Sequence, residues 1–310
     1  KVWKEDGRYY MVLGARARAW DENGSRRDKG GVLIYASEDK KNWKLHRKIV
    51  PERPFGYMWE CPDIFYLGGK KVLSFCPQGL EAEEERFQNI YQSGYSLMDE
   101  SENPEDTFRE WDMGFDFYAP QTFQADDGRR ILIGWAGVPD TEETHRNLSV
   151  ANGWQHCLTL PGELTWRDGK IFRTPIRELE DLEWRPAELK DGRCRWGRRT
   201  VKLLLTEISG ERRKIRIGKE ENCLTISCEG NRVELSFLDE NGNAARCGGG
   251  RRTRVGRTSG LVDQMLILID SSIAEIYANQ GETVFTTRIY LDEQDRELEV
   301  CGGKLNLEYC

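Results

Sequence analysis

Two stretches decide the fold: Pro62–Phe75, PDIFYLGGKKVLSF, and Pro120–Trp135, PQTFQADDGRRILIGW. Each opens on proline, runs through apolar residues, turns on Gly-Gly or Asp-Gly, takes a basic residue and enters a second apolar run. That is a β-hairpin written in turn chemistry, because glycine supplies the positive φ that a tight reversal needs. A fainter copy is Pro161–Phe172, and the opening Lys1–Gly14 follows the same phrase. Pro62 and Pro120 stand 58 positions apart, and Pro120 and Pro161 stand 41 apart. Further strand pairs fall between the copies, as at Gly31–Ser37 and Asn89–Met98. Four strands recurring every ~40–50 residues is the period of a β-propeller blade. A sandwich would also give regular hairpins, but not this longer-range echo.

Composition narrows the function. The chain has 310 residues and a net charge of −7, and its pI is near 5.4. A nucleic-acid binder carries a basic surplus, so that class is disfavoured. No apolar run approaches the ~20 residues of a membrane-spanning helix. Ten Trp, eleven Tyr and eleven Phe suit either a sugar-binding surface or a β-rich core. Nine cysteines are dispersed without a CxxC pair, and with three histidines they offer no zinc-ligand spacing. No metal or other cofactor is expected. Unpaired cysteines suggest a reducing compartment, so a cytoplasmic location is expected.

From about Thr174 the pattern changes. Thr174–Leu182, TPIRELEDL, reads as a short helix with Thr174 as N-cap, Pro175 at the first position and Glu178 in the first turn. Beyond it come alternating strands: Cys223–Ser227 and Arg232–Leu238 joined through Gly230-Asn231, then Met265–Ile269, Ala274–Ala278, Thr283–Tyr290, Leu298–Cys301 and Leu305–Cys310. Short strands with polar turns suggest an antiparallel sandwich. The expected division is a partial propeller over 1–173, a helical linker over 174–186 and a β-sandwich over 187–310. Arginines at 193, 195, 198, 199, 212, 213, 251, 252, 254 and 257 crowd this half. They form either a basic patch for an anionic partner or a solvated face balanced by nearby carboxylates.

Candidate chemistry sits just before the hairpins. The first strand of a blade lines the propeller axis, so residues at the start of these strands meet at one mouth of the channel. Glu60 and Cys61 precede Pro62, and Tyr118 and Ala119 precede Pro120, with Asp116 two residues before Tyr118. Glu60 follows Phe55, Tyr57, Met58 and Trp59; such a partly desolvated setting suits a proton donor. The bland alternative is a carboxylate that caps a turn or pairs with Arg53. Asp63 lies inside the strand and reads as structural. Carboxylates and aromatics at one mouth, without metal, phosphate-loop or Ser/His/Asp spacing, point to glycoside chemistry, which needs two carboxyl groups about the scissile bond.

These residues resemble glycoside hydrolase family 32, in its branch of bacterial sucrose-6-phosphate hydrolases and invertases. The likeness is carried by WECPD at Trp59–Asp63, DFYAPQTF at Asp116–Phe123, ILIGWAG at Ile131–Gly137, LTLPGEL at Leu158–Leu164 and SSIAEIYANQGETVFTTRIY at Ser271–Tyr290. The resemblance implies a five-bladed propeller followed by a sandwich, and hydrolysis of β-fructofuranosides with retention. It implies Glu60 as acid/base, with Cys61, Asp116, Tyr118 and Trp135 in stretches that line the fructose pocket. The family's nucleophile motif, Asn-Asp-Pro-Asn-Gly, and its Arg-Asp-Pro triplet do not occur in this sequence. The expectation is therefore that the first blade and the start of the second are missing and that these residues alone are inactive. The expected partner is a small sugar: sucrose, sucrose 6-phosphate or a fructo-oligosaccharide. Two other readings stay open: a carbohydrate-binding fragment without catalysis, and a levanase or inulinase acting on fructans. Arg53, Arg16 and Arg18 are the candidates for a 6-phosphate contact.

Overall fold

A computed structural model describes the chain apart from residues 21, 102, 198, 199, 209–211, 302 and 303, and apart from the side chains of 301, 304 and 305. Arg198 and Arg199 of the arginine-rich half thus lie outside the described residues. The first half forms three four-stranded antiparallel sheets, each a meander in chain order. The first holds β1 (Val2–Glu5), β2 (Arg8–Ala17), β3 (Lys29–Ser37) and β4 (Lys44–Ile49). The second holds β5 (Met58–Leu67), β6 (Lys70–Gln78), β7 (Gly94–Leu97) and β8 (Arg109–Glu110). The third holds β9 (Tyr118–Gln124), β10 (Arg130–Trp135), β11 (Gly162–Arg167) and β12 (Lys170–Pro175). These are propeller blades, and they correct one part of the repeat reading. The copies beginning at Pro120 and Pro161 are the inner and outer hairpins of one sheet, because β10 pairs with β11 from Arg130↔Leu164 to Leu132↔Gly162. The interval of 58 is therefore the step between blades, and the interval of 41 is a step within one.

The blades pack face to face through aromatic and branched side chains. Phe55, Trp59, Phe75, Phe87 and Phe108 join Val12, Val32 and Leu73 between the first two sheets. Phe65, Trp111, Phe117, Leu132 and Leu164 fill the space between the second and third. Trp59 is fully buried and donates its indole N–H to the Phe55 carbonyl at 2.7 Å. Most rings of this half are thus core rather than sugar platforms. Gly14 marks the tightest approach between the first two blades: a β-carbon there would lie 1.9 Å from the Trp59 carbonyl oxygen.

The second half is a sandwich of two six-stranded sheets. Its strands are β13 (Arg185–Pro186), β14 (Arg193–Arg195), β15 (Thr200–Thr206), β16 (Arg213–Lys219), β17 (Asn222–Glu229), β18 (Arg232–Ser236), β19 (Thr253–Arg257), β20 (Gln264–Asp270), β21 (Ile273–Ala278), β22 (Thr283–Arg288), β23 (Glu297–Cys301) and β24 (Lys304–Tyr309). One sheet runs β13-β24-β15-β20-β21-β22 and the other β14-β23-β16-β17-β18-β19. Period-two alternation turns one side of each strand inward, and Leu203, Ile217, Leu224, Leu235, Ile267 and Ile276 meet in a single core. β15 and β16, absent from the strands expected above, complete it. The expected helix at Thr174–Leu182 is instead the end of β12 and one 3₁₀ turn, Arg177–Asp181. Thr174 and Pro175 are held in the blade by pairing with Glu163 and Gly162, so tertiary hydrogen bonding overrides the local N-cap signal.

Several exposed arginines of this half pair with carboxylates, Arg193 with Glu299, Arg195 with Glu297 and Arg257 with Glu85, whereas exposed Arg252 donates to the Gly242 carbonyl. Arg251 is buried and pairs with Asp116, just before the third blade. Among the described residues no helix is long and apolar enough to cross a membrane, and no cluster of His, Cys, Asp or Glu is arranged to hold a metal ion.

Candidate active site

The site is built on a bulge that occurs twice. In the second blade the pairing of β5 with β6 passes from Glu60↔Cys76 to Asp63↔Ser74. Three steps on one strand thus oppose two on the other. In the third blade Tyr118↔Trp135 passes to Gln121↔Ile133 with the same offset. The extra residue is accommodated by a left-handed backbone at Cys61 (φ 48°) and at Ala119 (φ 49°). Neither is glycine, so each position carries strain of order ~1–3 kcal/mol that the surrounding sheet must hold. The bulge re-aims the residue before it, which is Glu60 in one blade and Tyr118 in the next.

Those two residues meet. The Tyr118 hydroxyl donates to Glu60 Oε2 at 3.0 Å, and Gln78 Nε2 donates to the same oxygen at 3.0 Å. Among the described residues Oε1 accepts no hydrogen bond and is left for another partner. Tyr118 is buried, and its phenol is pushed far up by that burial and by the charges of Cys76 and Glu60. It is a lasting donor. Cys61, Tyr91, Ala119 and Trp135 pack about Cys76, Tyr118 and Val138 in one small cluster. Trp135 is half-buried, with the His156 ring edge-on at 4.8 Å. Burial pushes the Cys76 thiol up, while contact with Cys76 holds the Cys61 thiol below its ordinary value. Both are free thiols.

Four of the five sequence-named residues therefore converge: Glu60, Cys61, Tyr118 and Trp135. Asp116 does not. It is 2% exposed, and both its oxygens are taken by Arg251, Nε to Oδ2 at 2.6 Å and Nη2 to Oδ1 at 2.6 Å. Burial alone would raise this carboxyl; Arg251 outweighs it and holds it below its usual range. With the Arg288 N–H as a third donor and almost no exposure, this carboxylate is held by the sandwich, a setting that favours a structural part for Asp116 over contact with a sugar hydroxyl. Asp63 is structural as read, accepting from the N–H and hydroxyl of Thr122, both at 2.8 Å. Arg53 pairs with Asp106 rather than Glu60. Arg16 lies over the Tyr57 ring at 4.8 Å and pairs with Asp28 at 2.6 Å.

Sequence reasoning missed Gln78, Cys76, Tyr91 and Asp140. The Tyr91 hydroxyl bridges to the site, accepting from Tyr57 at 3.3 Å and donating to Asp140 at 2.8 Å. The hairpin register alone does not find the first two: counting back from the Gly68-Gly69 turn sets Pro77 opposite Glu60, and only the bulge brings Cys76 beside Glu60 and Gln78 beside Met58. Tyr91 and Asp140 arrive from loops and carry no such signal.

Residues 1–175 match the family described as glycosyl hydrolases family 32 N-terminal domain, and residues 238–307 match the glycosyl hydrolases family 32 C terminal. A curated relative, the sucrose-6-phosphate hydrolase of Staphylococcus xylosus, is 36% identical over 312 aligned residues, covering 94% of this chain and 60% of the relative. Among solved structures, a GH32 beta-fructofuranosidase from Bombyx mori superposes with a TM-score of 0.80 at 28% identity, covering 99% of this chain and 64% of that one. A mutant of the same protein, solved in complex with sucrose, superposes with a TM-score of 0.78. This chain thus spans about 60% of the length of the curated relatives it matches. With both domain signatures in order and 36% identity along 94% of its length, the chain belongs to glycosyl hydrolase family 32.

Proposed function

We propose that this chain is the larger part of a retaining β-fructofuranosidase that cleaves sucrose or sucrose 6-phosphate in the cytoplasm, with Glu60 as its acid/base. The observation that carries the reading is the placement of Glu60: a carboxylate at the start of an axial strand, held on Oε2 by Tyr118 and Gln78, with Oε1 turned free. In the first half-reaction Glu60 protonates the leaving glucosyl oxygen while a second carboxylate attacks the fructosyl anomeric carbon. In the second, Glu60 takes a proton from water and fructose leaves with its configuration retained. Retention places the two carboxyl groups about 5–5.5 Å apart. The two donors on Oε2 keep the carboxyl fixed while Oε1 handles the proton. Cys61, Tyr118 and Trp135 form the wall of the fructose pocket, and Arg16, over the Tyr57 ring, is the candidate cation for a 6-phosphate. The chain divides into blades as far as Pro175, where β12 ends, a connector over 176–184 in place of the expected 174–186, and a sandwich from Arg185.

The test compares this chain with the same chain completed to the length of its relatives, on sucrose, sucrose 6-phosphate and inulin. The completed protein is expected to release fructose with retention, and Glu60→Gln in it to lower kcat by about 10²–10⁴-fold at unchanged thermal stability. Wild-type kcat in Glu60→Gln refutes the assignment. Sugar binding without turnover by the completed protein refutes the enzyme reading in favour of a binding module. A preference for inulin overturns the choice of substrate.

A further inference from the structure

Residues 112–116 link the second blade to the third, and they do so along the edge of the sandwich. The Met113 N–H donates to the Val284 carbonyl at 2.8 Å and the Asp116 N–H to the Thr286 carbonyl at 3.1 Å. In return, the N–H groups of Thr286 and Arg288 are met by side chains: Asp112 Oδ1 at 2.8 Å and Asp116 Oδ2 at 2.8 Å. The two carboxylates stand where the carbonyls of a seventh strand would, and they close the open edge of β22. Arg251, 1% exposed, forks onto Asp116 and is itself tied through Nη1 to the Gly248 carbonyl at 3.0 Å. One residue beyond Asp116, Phe117 enters the core between the second and third blades. One residue further, Tyr118 reaches Glu60.

The path from sandwich to Glu60 is therefore short and runs through the buried residues Arg251, Asp116, Phe117 and Tyr118 to Oε2 of the half-buried Glu60. Asp116 has no rotational freedom, since a bidentate guanidinium and a backbone N–H hold it on three bonds. Phe117 is pinned by packing, with the Arg173 guanidinium 4.4 Å over its ring. We propose that Asp116 and Arg251 are positioning residues for Glu60, the sandwich setting through them the place from which the Tyr118 hydroxyl holds the carboxylate. The proposal deepens the reading of Glu60 as acid/base and rests on it for its catalytic meaning. It gives the C-terminal sandwich a part in the active site beyond covering the blades.

The test uses this chain labelled with ¹³Cζ-tyrosine, whose resonance reports the hydrogen bond made by the phenol. Tyr118→Phe assigns the signal, and Glu60→Gln sets the displacement for loss of the charged acceptor. Asp116→Asn and Arg251→Lys are each expected to displace the Tyr118 resonance by at least half as much. Each is expected to add little to the displacement already caused by Glu60→Gln, because both act through one hydrogen bond. Arg195→Gln, which removes an exposed pair with Glu297 on the other sheet, is expected to leave it in place. Arg251→Lys keeps the buried positive charge opposite Asp116, so it gives an answer even if Asp116→Asn does not fold. A folded Arg251→Lys protein with lowered thermal stability and an unmoved Tyr118 resonance overturns the proposal, leaving the pair a purely structural clamp. No substrate enters the measurement, so a protein without glycosidase activity and a protein without this linkage give different results.

Discussion

Glu110 makes the stability of the second blade depend on pH. It sits on β8, its side chain 7% exposed, with both oxygens accepting the Phe87 N–H at 3.2 and 3.3 Å and the Arg86 guanidinium 4.0 Å away. Burial dominates, and the carboxyl is pushed from 4.5 up to about 7. The unfolded chain releases this proton near 4.5, whereas the folded chain keeps it until about 7. Between those values the native state binds more protons, so stability falls as pH rises through that window. At about 1.4 kcal/mol per pH unit the full loss above pH 7 is about 3 kcal/mol. Glu110→Gln removes the charge and keeps an acceptor for the Phe87 N–H. The variant is expected to match the wild type near pH 4.5 and to gain about 3 kcal/mol by pH 8. For a urea slope of about 3 kcal/mol per molar, that raises the midpoint by about 1 M. The assay is urea unfolding at several pH values between 5 and 8, followed by tryptophan fluorescence, to which buried Trp111, the next residue in the chain, contributes. A difference between the two proteins that stays constant with pH, or shrinks as pH rises, refutes the reasoning.

Two further outcomes follow from the seam between blades and sandwich. In Gly114→Ala the new β-carbon would lie 2.1 Å from the Thr286 oxygen and 2.4 Å from its nitrogen. Both are strand backbone that cannot step aside, so a loss of about 3 kcal/mol is expected, seen as a lower Tm and as faster amide exchange along β22. Exchange rates equal to wild type refute it. Arg173→Met strips the guanidinium from Asp112, whose carboxyl burial already pushes up despite that partner. An uncompensated buried charge costs about 3–5 kcal/mol. The loss is expected to be larger at pH 8 than at pH 4, where Asp112 takes up a proton; a Tm deficit independent of pH runs against it.

The blade hairpins were legible because their signals are local. A Gly-Gly or Asp-Gly turn between apolar runs specifies a hairpin wherever it occurs, and PDIFYLGGKKVLSF and PQTFQADDGRRILIGW became β5-β6 and β9-β10. Which hairpins share a sheet was not legible, and the copies at Pro120 and Pro161 are two halves of one sheet. Lateral pairing such as Arg130↔Leu164 joins residues far apart in sequence and leaves no periodic mark. Glu60 was legible from its setting, and Cys61, Tyr118 and Trp135 from a family likeness that preserves order along the chain. The setting of Asp116 was not legible for a physical reason: a carboxylate near an active-site mouth and one locked to a buried arginine look the same in sequence until Arg251 arrives from 135 positions away.

The sequence by itself determined the all-β architecture, the hairpin unit, the identity of the candidate proton donor and the family. All of these depend on turn chemistry, alternation and short motifs, which are properties of neighbouring residues. The tertiary structure alone decided how many sheets those hairpins make. It decided that Tyr118 and Gln78 both grip one oxygen of Glu60, and that Asp116 is locked to Arg251 of the sandwich. These are questions of which buried donor meets which acceptor, and a buried charge is satisfied by whatever the fold carries to it rather than by what stands beside it in the chain.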